Sequence, residues 1–175
     1  MRTIVLRVVA LSVLLLLVLA AVLTLQTMRS LPDTLIYFVT EEESLLRLEA
    51  VGRRSSAGSA EERARSAVAE LAAGPSESER SRGLSTVVPT ETTVRGIRIS
   101  NGILHLDLAK EFESGGGSAS MQGRLYQLFY TLTQPSGIEG VELSVDGNMV
   151  VAFGGEGILI DSPWLRSQHP RLPVW

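Results

Sequence analysis

The 175-residue chain is 45% apolar and 20% charged, with 16 basic against 19 acidic side chains, two histidines and no cysteine. That excludes disulfide staples, thiolate metal sites, cysteine nucleophiles and a lipid on an N-terminal cysteine, and it leaves little for imidazole chemistry. The mean hydropathy of +0.20 is high for a soluble domain, and the excess is local, because 21 uncharged residues separate Arg7 from Arg29.

That run, Val8 to Met28, is Val, Leu and Ala interrupted only by Ser12, Thr24, Gln26 and Thr27. As a helix it measures roughly 30 Å, the thickness of a bilayer core. Arg2 and Arg7 lie before it, whereas Arg29 is soon followed by Asp33 and Glu41 to Glu43. The positive-inside bias places the N-terminus in the cytoplasm and the rest of the chain outside, a single-pass protein of the cytoplasmic membrane held through residues 8–28. A cleaved signal peptide is the competing reading. Its small-x-small site would be Val18-Leu19-Ala20, which sits inside the apolar run rather than after it, so the uncleaved anchor is preferred. With Arg2, Arg7 and Arg29 set aside, 13 basic side chains face 19 acidic ones, a net charge of −6. No basic face offers itself to nucleic acid, and Lys110 is flanked by Glu111 and Glu113.

Beyond a spacer at residues 30–34, Leu35 to Val39 is a β-rich run, and Leu46, Leu48 and Ala50 alternate with polar residues, which predicts a hairpin turning at Thr40 to Ser44. Arg53 to Ser59 reads as a loop. Ser59 and Glu62 form a capping box, and Ala64, Ala67, Val68 and Leu71 recur at helical spacing until Gly74-Pro75. Ser76 to Arg82 reads as an exposed polar stretch. Ile97 and Ile99, the Asn101-Gly102 turn, then Leu104, Leu106 and Leu108 give the strongest hairpin signal.

Three glycines, Gly115 to Gly117, precede a second helix that Ser118 or Ser120 would cap and that stops before Pro135. Gly123 within it predicts close approach to another backbone. Val141, Leu143 and Val145, the Asp146-Gly147 turn, and a more fully buried strand from Met149 to Phe153 make a last hairpin. The order predicts an α+β fold, a mainly antiparallel sheet with two amphipathic helices on one face, preceded by one N-terminal transmembrane helix. Residues 1–29 would be the cytoplasmic tip and anchor, 35–166 the folded domain, and 167–175 a tail that frays after a turn at Trp164.

The residues resemble the GerMN domain, a family named for bacterial sporulation and spore germination. The resemblance is carried in order by Ile36-Tyr37-Phe38-Val39, Ala69-Glu70-Leu71, Ala73-Gly74-Pro75, Gly83-Leu84-Ser85, Val88-Pro89 and Leu106-Asp107-Leu108. It continues through Glu111-Phe112, Gly115 to Ser118, Leu132-Thr133-Gln134, Val145-Asp146-Gly147 and Gly154 to Gly157, so it spans nearly all of the exported part. It implies an extracytoplasmic domain without known catalysis, similar in fold to ring-building modules that associate within envelope complexes. Many such relatives are lipoproteins; here no cysteine is available for the lipid, and the helix takes over as anchor.

No residue is assigned to catalysis, a cofactor or a metal. Gly115, Gly116, Gly117, Ser118 and Ser120 open a helix where an anion can bind. The stretch lacks a phosphate-loop lysine, and a flexible entry to a helix is the preferred reading. His105 and Asp107 share one strand face, but a neighbour two residues away is badly placed to orient an imidazole, and no nucleophile elbow accompanies them. Glu41 to Glu43 fit no calcium loop. Gly154, Gly155, Glu156 and Gly157 form a loop suited to a partner contact. The function expected is protein association or self-association in the envelope, in a sporulation-like or cell-wall complex, with recognition of a small anion or wall fragment as the alternative.

Overall fold

A computed structural model describes residues 13–22, 32–54, 58–135, 137–154 and 157–175. The chain divides into two units, Met1–Pro32 and Asp33–Trp175. In the first, residues 13–22 form helix α1, whose leucines and valines are exposed. The rest of the expected anchor, residues 8–12 and 23–28, lies outside the described residues. Among the described residues no helix is long and apolar enough to cross a membrane.

The second unit starts with strand β1 (Thr34–Glu42), antiparallel to β2 (Leu45–Arg53) in a sheet of its own. The turn is tighter than Thr40 to Ser44. Only Glu43 and Ser44 lie outside the strands, both at positive φ, so the twist of the turn matches that of the strands. Ile36, Tyr37, Phe38 and Val39 are all buried, because β1 is covered on both faces.

Helix α2 (Ala60–Ala73) begins where the capping box put it. The Ser59 hydroxyl accepts from the Glu62 N–H at 3.2 Å, and the Glu62 carboxylate accepts from the Ser59 N–H at 2.7 Å. Its buried stripe is Ala64, Ala67, Val68, Leu71 and Ala72, small side chains that let it pack closely on β1 and on β3 (Val94–Ser100). The polar stretch after it is not simply exposed. It contains a short helix α3 (Glu77–Arg80), entered through a second capping box at Ser76 and Glu79. Glu79 is buried, at 8% exposure, because its carboxylate receives Arg53 from the end of β2.

Strand β3 and β4 (Ile103–Leu108) pair as predicted across Asn101-Gly102, both at positive φ. A 3-10 turn (Lys110–Glu113) follows, then helix α4 (Ser118–Leu132) and β5 (Gly140–Val145). The sheets are mainly antiparallel, as expected, with one exception. β5 lies parallel to β4, Leu104 beside Val141 and Leu106 beside Leu143, because α4 carries the chain back across before β5 begins.

The last hairpin is shorter than expected. β6 (Asn148–Met149) pairs with the end of β5 and is exposed, while β7 (Ala152–Phe153) leaves that sheet and pairs with β8 (Ile158–Leu159). Only Val150 and Phe153 of that stretch are buried. β9 (Trp164–Leu165) returns to the start of β5. The final residues do not fray. Leu46 and Trp175 exchange two backbone hydrogen bonds, at 2.8 and 3.1 Å, so the end of the chain pairs with the free edge of β2. The fold is α+β, with its sheet divided into a two-stranded hairpin, a five-stranded mixed sheet and a small hairpin, and with α2 and α4 packed between these parts.

Candidate functional site

Helix α4 positions every candidate contact. Its buried face is unusually polar, since Arg124, Gln127 and Thr131 lie among Leu125, Leu128, Phe129 and Leu132. Each polar group satisfies a backbone that would otherwise be orphaned. Thr131 Oγ1 accepts from the Tyr37 N–H at 3.0 Å, Gln127 Nε2 donates to the Tyr37 carbonyl at 3.0 Å, and Gln134 Nε2 donates to the Leu35 carbonyl at 2.8 Å. Two residues further along β1, Val39 and Ser85 exchange two backbone bonds of 2.8 Å. The outer edge of β1 is thereby closed by side chains and this single bridge rather than by a full strand, which removes a route to edge pairing.

Arg124 is 3% exposed and has no carboxylate partner among the described residues. Its Nε donates to the Val87 carbonyl at 3.0 Å, one Nη to the Phe112 carbonyl, and the other to the Gly115 carbonyl at 3.2 Å, with the guanidinium 5.9 Å over the Phe112 ring. Burial pushes its pKa below the ordinary arginine value. This cation organises the entry to α4. The helix cap is Gly117, with no side-chain hydrogen bond, so neither Ser118 nor Ser120 caps it as the sequence suggested. Gly115, Gly116, Gly117 and Ser118 are exposed, and Ser120 turns back toward Gly116.

The second candidate loop comes close to the first. A side chain at Gly154 would lie 3.2 Å from Met121, in the opening turn of α4, and the Gly157 N–H donates to the Gly154 carbonyl at 3.1 Å. Gly155 and Glu156 lie outside the described residues. Gly154 to Gly157 thus joins β7 to β8, on which Leu159 is 83% exposed; Val151, just before β7, and Met149, on β6, are 58% and 54% exposed.

His105 and Asp107 do not converge on a nucleophile. His105 Nδ1 meets Glu142 Oε1 at 2.9 Å across the parallel pair, while Asp107 accepts the Gly147 N–H at 2.8 Å and lies 3.5 Å from Arg95, so both serve the sheet. No group of three or more metal-ligating side chains occurs among the described residues.

The aromatic residues around α4 drew no functional reading from the sequence, yet they line a pocket. Trp164 stacks on Phe129 at 4.0 Å, and Tyr126 lies between Trp164 at 6.1 Å and Trp175 at 5.2 Å. His169 packs edge-on to Trp164 at 5.5 Å. Gln122, Tyr126, Trp164 and His169 join Ile158 to Asp161 around about 430 Å³ of space open to solvent. Spacing of Gln122, Tyr126 and Phe129 at one helix turn was the available signal, but their partners lie some forty residues away.

A family model described as Germane, sporulation and spore germination, matches residues 35–151. The chain belongs to the Germane family. The fold agrees with that assignment. The first GerMN domain of the sporulation protein GerM from Bacillus subtilis superposes with a TM-score of 0.62 at 22% identity, covering 77% of this chain and 99% of that one. The tandem GerMN domains of the same Bacillus subtilis protein give a TM-score of 0.61 at 20% identity, covering 77% of this chain. This Germane chain spans less than half of that tandem structure, 46% of it. No curated protein matches in sequence.

Proposed function

We propose that this Germane protein is a non-catalytic, membrane-anchored envelope protein whose domain docks on a protein partner outside the cytoplasmic membrane. The uncharged run at residues 8–28 behind Arg2 and Arg7 supports the anchor and its orientation. The docking reading is carried by the β7–β8 hairpin, on which Leu159 is exposed next to the Gly154 to Gly157 turn, with Val151 just before β7 and Met149 on β6 also exposed. Apolar side chains grouped in this way on a domain of net charge −6 favour an apolar protein surface over an anionic one. Non-catalytic action is supported by His105, Asp107 and Arg124, each committed to a structural partner.

A photoreactive residue placed at Leu159 in the full chain, activated in cells, tests the docking. A discrete protein adduct that is missing when the same residue replaces Ala69, exposed on α2, is the expected result. Equal labelling from both positions, or none from Leu159, rejects it.

A further inference from the structure

We propose that the pocket between α4 and the β8–β9 segment is a binding site for the alkylammonium group of a small amine. Asp161 is the one acidic side chain in its lining, beside the polar groups of Gln122, Tyr126, Trp164 and His169. Gln122 donates its Nε2 to the Tyr126 hydroxyl at 2.9 Å, which leaves the Gln122 carbonyl oxygen as an acceptor and frees the Tyr126 proton. Asp161 stands at the rim with no hydrogen bond or ion pair to any described residue. An exposed carboxylate without a partner beside two aromatic rings makes the space negative in potential, because ring faces carry partial negative charge.

No lysine or arginine lines the pocket, and the Arg166 guanidinium lies 4.2 Å over the ring of Tyr130. An anion would meet Asp161 with no lysine or arginine in the lining to neutralise it. A protonated amine satisfies the whole set: its N–H groups reach Asp161 and Gln122, its charge faces Tyr126 and Trp164, and its methylene chain lies on Ile158, Leu159 and Ile160. The cavity volume of about 130 Å³ admits a ligand of several heavy atoms and no large one. Leu159 belongs both to this wall and to the exposed apolar face proposed above for docking, but the amine site rests on Asp161, Gln122 and Tyr126, which the docking reading does not use.

The test is calorimetric titration of the full chain in nonionic detergent with 1,5-diaminopentane, with 1,5-pentanediol and N-acetylglucosamine as neutral probes of comparable or greater size. One-site binding of the diamine alone is expected, weakened about tenfold by Asp161→Asn, an exposed position whose substitution leaves the fold intact. Tyr126→Leu should weaken it further by removing the aromatic ring that faces the charge. The proposal is overturned if either neutral probe binds as tightly as the diamine, if Asp161→Asn binds unchanged, or if no heat of binding appears at about 20 mM diamine.

Discussion

Gln127 ties strand β1 to the segment before β3: its Nε2 donates to the Tyr37 carbonyl at 3.0 Å while its Oε1 accepts from the Val87 N–H at 2.9 Å. The side chain is fully buried, so both backbone groups depend on it for the hydrogen bonds that water would otherwise supply. Gln127→Leu keeps the volume and removes both partners. It should destabilise the domain by about 3 kcal/mol, read from denaturant midpoints at unchanged slope. Thr131→Val, which removes one partner from the Tyr37 N–H, should cost about half as much.

Arg53 and Glu79 tie β2 to α3. Arg53 donates to both Glu79 oxygens at 2.7 Å and lies 5.7 Å over the Phe38 ring. The Arg53 hydrogen bonds are the main reason that the Glu79 carboxyl is held at about 2, below its usual 4.5. A folded-state value below the unfolded one contributes stability above the unfolded pKa and loses it as pH falls through the folded value. Stability should therefore decline from near pH 4.5 toward pH 2. Glu79→Gln should flatten that part of the profile, and a profile identical to that of the unaltered protein would show that another carboxylate governs it.

Gly123 faces Trp175. A Cβ there would stand 2.8 Å from the indole and 3.1 Å from Val87. Alanine raises helix propensity by about 1 kcal/mol, but the contact with a side chain anchored through Trp175 Nε1 and the Ala119 carbonyl outweighs it. Gly123→Ala should lower the melting temperature. In a Trp175→Ala background the same change should become neutral or stabilising, which identifies the indole as the obstacle.

The glycine loop before α4 separates strain from openness. Gly116 sits at φ 88, with a Cβ 2.6 Å from Ser120 Oγ, whereas Gly117 has an ordinary φ of −98 and empty space around it. Gly116→Ala should cost about 1 to 2 kcal/mol and Gly117→Ala almost nothing, by thermal unfolding. If phosphate raised the melting temperature of the protein and Gly117→Ala removed that effect, the loop would be an anion site rather than a shaped entry to the helix.

Local chemistry was legible in the residues. The Ser59–Glu62 box, the Asn101-Gly102 turn and the stop before Pro135 each depend on neighbours a few positions apart, and each element begins or ends where those residues place it. The parallel pairing of β4 with β5 was not legible. Leu104, Leu106, Val141 and Leu143 alternate in the same way whichever direction the neighbour runs, so periodicity reports a buried face and leaves the partner open. Gln127 and Thr131 escaped notice for a related reason. Polar residues on a helix read as solvated until the strand edge that they close is in place. The pocket is the most distant case, with walls from α4 and from residues 158–169 that only the return of β9 to β5 brings together.

The absence of cysteine makes a single measurement decisive for the central claim. Cysteine is introduced at Glu91, in an exposed turn, or at Leu159, and each full chain is treated with a membrane-impermeant maleimide in intact cells and again after purification. The account predicts that Glu91→Cys is labelled in both states and that Leu159→Cys is labelled only after purification, when its partner is gone. Failure to label Glu91→Cys in intact cells would contradict an extracytoplasmic domain. Equal labelling of both positions in intact cells would contradict a partner on the β7–β8 hairpin.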